Sequence, residues 1–215
     1  MQVQCHARSA GTAHACTSLV PNRSRRRARA LRRTTVHHSK LFKNVSNAPI
    51  AAPDEVQISE RDATYLRQAI QLSRTARERG NRPFGAVIVA PDGEVLVEAW
   101  NRNGETGDCT AHAETNAVRM ASPQYPREVL AAATLYSSGE PCVMCAGAIF
   151  WSSIGRVVYG IDAVRLRVFR GERQEQRDAE LFCRDVFGAS PHPIECIGPA
   201  LIDEAAEPHQ GGWKV

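Results

Sequence analysis

Apolar positions along this chain fall into helical and strand-like patterns, and their order predicts a fold. Leu66, Ala69, Ile70 and Ser73 recur at helical spacing on one face. Ser59 before them, with Asp62 three residues on, reads as a variant capping box, and Gly80 reads as the stop. Residues 84–90 and 94–100 are short apolar runs split by Pro91-Asp92-Gly93, which predicts strand, tight turn and strand. Residues 101–110, with Asn101, Gly104 and Gly107, read as a loop. A helix is predicted from near His112 to about Ser122, where Pro123 and Pro126 break it. Residues 133–138 read as a buried strand. Pro141 opens a helix to about Ser153, and 156–160 read as a further strand. An amphipathic helix is predicted over 172–187, turning Leu181, Phe182, Val186 and Phe187 inward. Residues 194–201 read as a last strand and 201–207 as a short acidic helix. The end, Glu207 to Val215, reads as a frayed terminus, with His209 and Trp213 as the side chains able to close a pocket.

This order predicts an α/β fold: a three-layer α/β/α sandwich around a mixed five-stranded sheet. The first two strands should run antiparallel and the later ones parallel, joined by right-handed crossovers.

Charge divides the chain in two. Residues 1–50 hold ten Lys or Arg and no Asp or Glu, while the remaining 165 residues hold 17 basic against 23 acidic side chains. The net charge of +4 is therefore a mildly acidic body behind a basic leader. An acidic body argues against nucleic acid as the main partner. The leader, 1–53, is expected to be disordered, and 54–215 to form the functional domain. As a transit peptide the leader would send the protein to a plastid or mitochondrion. Read instead as a basic arm touching RNA or membrane, or as a translated upstream region, it leaves a cytoplasmic protein. No run of about 18 apolar residues predicts a membrane span. Cys109, Cys183 and Cys196 read as free thiols, the last two in the core, which suits a reducing compartment. Arg165, Arg167, Arg170 and Arg173 read as a solvated face.

The informative chemistry lies in Thr110-Ala-His-Ala-Glu-Thr-Asn-Ala and Glu140-Pro-Cys-Val-Met-Cys-Ala-Gly-Ala. Cys142 and Cys145 are three apart at a helix start, so their sulfurs share one face, and the helix N-terminus favours their thiolates. One imidazole, His112, completes three ligands for Zn2+, one ion per subunit, leaving the fourth position to water or hydroxide. Glu114 lies two residues on and can carry a proton without ligating. A structural zinc site would need a fourth protein ligand, and the body has neither a second C-x-x-C nor an H-x-x-x-H. A redox C-x-x-C would leave His112 and Glu114 without a role.

H-x-E followed after 26 residues by P-C-x-x-C resembles the zinc signature of the cytidine deaminase superfamily. The resemblance spans roughly residues 60–202. It is strongest to the branch of guanine deaminases and tRNA adenosine deaminases, through Pro83-Phe-Gly-Ala-Val-Ile-Val, Trp100-Asn101, the His112 to Ala117 run and Glu140 to Trp151. It implies zinc on His112, Cys142 and Cys145, and Glu114 as the catalytic proton carrier. It also implies substrate contacts from Asn101, Phe84, Ala113 and Trp151, and a homodimer. Phe84 and Trp151 resemble the guanine deaminase side. The expected activity is hydrolytic removal of ammonia from a small-molecule nucleobase or nucleoside, a purine such as guanine first. A tRNA adenosine deaminase, a cytosine-, cytidine- or amino-triazine-type deaminase, and a zinc-stabilised binding module without catalysis are the alternatives.

Overall fold

The computed structural model describes residues 51–170, 181–192, 194–211 and 213. Residues 1–50 of the basic leader, and residues 172–180 of the helix expected at 172–187, lie outside the described residues.

The first helix, α1 (Glu60–Glu78), begins where the sequence places it. The Ser59 hydroxyl accepts from the Asp62 backbone N–H at 3.1 Å and donates to its carboxylate at 2.8 Å. The chain then reverses through Gly80, at φ +78°. Strands β1 (Gly85–Val89) and β2 (Val95–Trp100) follow, with a register shift between Ile88 and Val89. A four-residue helix, α2 (Asn103–Thr106), leads to α3 (Ala113–Ala121) and α4 (Arg127–Ala132). Then come β3 (Thr134–Gly139), α5 (Val143–Ser152), β4 (Arg156–Ile161) and α6 (Ala163–Arg170). The chain ends through α7 (Cys183–Gly188), β5 (Glu195–Ile197), α8 (Ile202–Ala206) and a 3-10 turn at Glu207–His209.

The five strands lie in the order β2-β1-β3-β4-β5. β1 is antiparallel to both β2 and β3, while β3, β4 and β5 run parallel. Successive side chains of a strand point to opposite faces, so the sheet carries two cores. Ala86, Ile88, Leu135 and Val157 pack with α3, α5 and α7. Val87, Val89, Tyr136 and Val158 pack under α1 and α8. This is the expected three-layer sandwich. Gly85 is required by the close approach of α1 to β1, since a Cβ there would lie 2.2 Å from the Ala69 carbonyl oxygen.

Across the α1 face runs one buried ion pair. Arg156 grips the Asp62 carboxylate with two hydrogen bonds of 2.7 and 2.9 Å, and the Tyr136 hydroxyl donates a third at 2.9 Å. Burial alone would raise the Asp62 carboxyl, but the donors from Arg156, Ser59 and Tyr136 outweigh it and hold it at about 2.

Four expectations change. The loop at 101–110 contains α2, and residues 163–170 form a helix that the charge run concealed. Within α6, Arg165 is half-buried and pairs with Asp162 at 2.5 Å, so it is no solvated face. Of the helix expected at 172–187, only α7 stands in the described part; Leu181 is 45% exposed and Phe182 caps the helix. Asp185 accepts from the Phe182 backbone N–H at 3.1 Å, which caps the start of α7. Residues 207–209 are packed rather than frayed: His209 is fully buried. Arg67–Glu204 at 2.9 Å, Arg74–Glu207 at 2.8 Å and an Arg77 donor to the Pro208 carbonyl pin the tail to α1. No helix among the described residues is long and apolar enough to cross a membrane.

Candidate active site

Two helix N-termini meet on one side of the sheet, beyond the carboxyl end of β3. His112 is the N-cap of α3 and Cys142 the N-cap of α5, both in extended backbone conformation. The α5 register then brings Cys145 onto the same face as Cys142. The His112 Nδ1 atom lies 3.6 Å from the Cys142 Sγ and 3.5 Å from the Cys145 Sγ, and the two sulfurs are 3.6 Å apart. A zinc ion at tetrahedral angles, with bonds of about 2.3 Å to sulfur and 2.0–2.1 Å to nitrogen, sets its ligands about 3.5–3.8 Å apart. The three donors therefore already sit at the corners of such a tetrahedron. One face of the triangle they form is left for a fourth group.

Electrostatics prepares the same set. The hydrogen bond with Cys145 pulls the Cys142 thiol well below the usual range, against the cost of burial and with help from His112. Cys145 moves the other way, raised by that same bond and by burial. The Thr115 hydroxyl lies 3.3 Å from the Cys145 sulfur.

Glu114, in the first turn of α3, is 4% exposed. Burial raises its carboxyl above the ordinary range, the Cys142 charge adds to the rise, and His112 opposes it. The Ser137 hydroxyl, from β3, donates to Glu114 Oε1 at 2.9 Å. Ser137 shares the sheet face of Leu135, where neighbouring positions are apolar. A serine on that face is explained by the carboxylate it holds, and this residue was missed from the sequence.

The substrate-contact expectations divide. The Asn101 backbone N–H donates to the Phe84 carbonyl at 2.9 Å, and Arg102 N–H donates to the Ala111 carbonyl at 2.9 Å, so Phe84, Asn101 and the His112 segment form one wall. Ala113 is fully buried as the first residue of α3. Phe84 lies against Gly139, where a Cβ would come within 3.0 Å of its ring. The tail closes over it: the Phe84 ring centroid is 5.0 Å from that of His209 and 5.8 Å from that of Trp213. Trp151 is not brought to this wall. It is 82% exposed, with its ring against Phe150. Six residues of α-helix place it about 240° round from Cys145 and about 9 Å along the axis, so adjacency in the motif does not become adjacency in space.

Asn101 is 1% exposed and its amide orientation is fixed by polarity. The Asn103 backbone N–H, which can only donate, reaches Asn101 Oδ1 at 3.1 Å. Asn101 Nδ2 then donates to Asn103 Oδ1 at 2.7 Å, and Asn103 Nδ2 donates to the Asp108 carbonyl at 2.5 Å. Asn103, unremarked in the sequence, thus locks Asn101 with an N–H end as its remaining capacity.

Residues 59–161 match the family model of the cytidine and deoxycytidylate deaminase zinc-binding region. A probable cytosine deaminase of Schizosaccharomyces pombe is 44% identical over 157 residues, covering 73% of this chain and 95% of that protein. A guanine deaminase of Bacillus subtilis is 40% identical over 100 residues, 46% of this chain and 64% of that protein. Among solved structures, a tRNA:A34 deaminase is 32% identical with a TM-score of 0.51, covering 68% of this chain and 99% of that one. A guanine deaminase of Nitrosomonas europaea shares the fold at 21% identity, with a TM-score of 0.58 over 75% of this chain and 88% of that one.

Proposed function

Because the chain belongs to the cytidine and deoxycytidylate deaminase family, as a hydrolase of C–N bonds, we propose that it deaminates a free nucleobase, with cytosine as the first candidate. The observation that carries this reading is the His112, Cys142 and Cys145 triangle with the buried Glu114 beside it. A zinc ion held by these three residues supplies Lewis-acid activation of water. Glu114 takes one proton from the attacking water and passes it to a ring nitrogen, then takes the second from the oxygen now bonded to carbon and passes it to the leaving amine. The water oxygen bonds to the amino-bearing carbon, the C–N bond breaks and ammonia leaves. Ser137 keeps the carboxylate aimed during both transfers. Asn101 offers its N–H to a carbonyl oxygen or an unprotonated ring nitrogen of the base.

Cytosine stands ahead of guanine for two reasons. The expectation of guanine leaned on Phe84 and Trp151, and Trp151 lies outside the site of a single chain. The cytosine deaminase relative also aligns over 157 residues, against 100 for the Bacillus guanine deaminase. The homodimer expectation is kept as part of the proposal, with Trp151 as the exposed ring it would cover; sedimentation of Trp151→Ser checks it.

The test is ammonia release from the zinc-loaded chain with cytosine, cytidine, guanine, guanosine, adenine and an anticodon stem-loop RNA. Release from cytosine is expected. Release only from the RNA makes the protein a tRNA deaminase, and release from no ring, with zinc bound, makes it a binding module.

A further inference from the structure

We propose that Cys183 and Cys196 form a covalent modification site, where a low-molecular-weight disulfide reacts at Cys196 and Cys183 closes an internal disulfide. Neither cysteine serves the metal triangle. Cys183 opens α7 and is fully buried. Cys196 is the middle residue of β5, the edge strand of the sheet, and is partly exposed. Their sulfurs are 3.6 Å apart, at van der Waals contact. A disulfide bond is about 2.05 Å long, so the sulfurs must approach by roughly 1.5 Å. The helix that carries Cys183 is only six residues long, and β5 pairs on one side only, with β4.

The two thiols have different environments, and this sets the order of events. The hydrogen bond with Cys183 lowers the Cys196 thiol against burial, and the Arg184 charge lowers it further. That same bond, together with burial, raises Cys183. The thiolate therefore resides on the more open of the two sulfurs. Cys196 attacks one sulfur of the incoming disulfide, that S–S bond breaks, and the first small thiolate leaves. Cys183 then gives up its proton and attacks the Cys196 sulfur of the mixed disulfide, expelling the second thiolate. The protein loses two electrons and two protons, and the small disulfide becomes two thiols.

Closing the bond has a consequence near the metal triangle. The one Cys183 S–H faces both Cys196 and Glu140 Oε1, the latter at 3.5 Å, and a disulfide has no such proton to share. Glu140 is two residues before Cys142, and its other oxygen accepts the Ala163 backbone N–H at 3.0 Å. Oxidation therefore removes one of the two side-chain hydrogen bonds of Glu140, leaving the one to Ala163 and the backbone bond from Glu140 N–H to the Ile161 carbonyl at 2.8 Å.

The experiment uses the full zinc-loaded chain with oxidised glutathione as the probe, then trypsin without reductant. Cleavage after Arg177, Arg184 and Lys214 puts Cys183 and Cys196 on separate peptides, 178–184 and 185–214. The expected product is these two peptides joined, two hydrogens lighter than their sum and separated by reductant. Cys183→Ser should stop at a glutathione adduct on Cys196, and Cys196→Ser should leave Cys183 unmodified. Cys109, which is exposed, reports that the probe has acted. Complete reaction at Cys109 with no joined peptides overturns the proposal, as does a Cys183→Ser protein without an adduct on Cys196.

Discussion

Replacing Glu114 by Gln isolates the proton transfer from everything else in the site. Gln keeps the shape of the side chain and an oxygen for the Ser137 hydroxyl to donate to, and it leaves the three metal donors untouched. What it loses is the ability to take up and release a proton. A positioned acid–base group contributes roughly 10²–10⁴-fold to a rate, which is about 3–5 kcal/mol of barrier. The structure points to the upper part of that range. Glu114 is 4% exposed, so bulk water has little access to stand in for it. The fold should not suffer, because the substitution removes a buried ionisable group whose charged form is costly. The sign can be checked in zinc-free protein. The Glu114 carboxyl is raised by burial, so its stabilising contribution is complete below the unfolded value and is lost as pH climbs through the folded one. Wild type should therefore lose stability relative to Glu114→Gln as pH rises through that window. The assay is ammonia release from the substrate found in the screen, with zinc content measured by atomic absorption on the same samples. A Glu114→Gln protein with full zinc and activity within about tenfold of wild type would refute the assignment.

Three further outcomes follow from the same geometry. Cys142→Ala should lose both zinc and activity, as should wild type treated with a strong chelator, with activity returning to wild type alone when zinc is restored. Ser137→Ala leaves the buried carboxylate without its hydroxyl donor, at a cost of about 1–3 kcal/mol. A roughly 5- to 150-fold fall in kcat is expected, with KM and zinc content unchanged and Ser137→Thr retaining activity. Asp62→Asn should destabilise the protein by about 2–3 kcal/mol, below the usual cost of breaking a buried pair because Arg156 is partly exposed. The Asp62 carboxyl is depressed to about 2, so its contribution is whole above the unfolded carboxylate value of about 4 and is lost as pH falls towards 2. Melting temperatures across that interval should fall less steeply in Asp62→Asn than in wild type.

The clustering of His112, Cys142 and Cys145 was legible in the sequence because its rules are short-range. Cys142 and Cys145 share a face by helical spacing alone, and one histidine was available near them. Short apolar runs bounded by turn residues made the strands of the sheet legible in the same way. The errors came where local periodicity competed with something non-periodic. Residues 163–170 carry three arginines and were read by charge, whereas a backbone hydrogen bond from Arg165 N–H to Asp162 at 2.9 Å helps start that helix. Residues 207 onward were read as frayed because they end the chain, yet three arginines of α1, more than a hundred residues away, hold Glu204, Glu207 and Pro208.

The same division explains why chemistry was easier to read than substrate. The proposed metal binding and proton transfer would use four residues in two short motifs, each positioned by the helix it begins. The wall around a base draws on residues distant in sequence. Phe84 precedes β1, Asn101 follows β2, Gly139 ends β3, and His209 and Trp213 come from the tail. Asn101 itself acquires a defined donor only through Asn103 and Asp108. Each of these positions has an ordinary local reading as a turn residue, a strand end or a terminus. The sheet order, which lays β1 between β2 and β3, and the pinning of the tail to α1 make them neighbours. Specificity therefore depends on the joint placement of at least three segments. Exchanging Phe84 alone should weaken binding of the preferred ring without conferring a new one, because the Asn103-locked donor and the pinned tail would still shape the space for the original base.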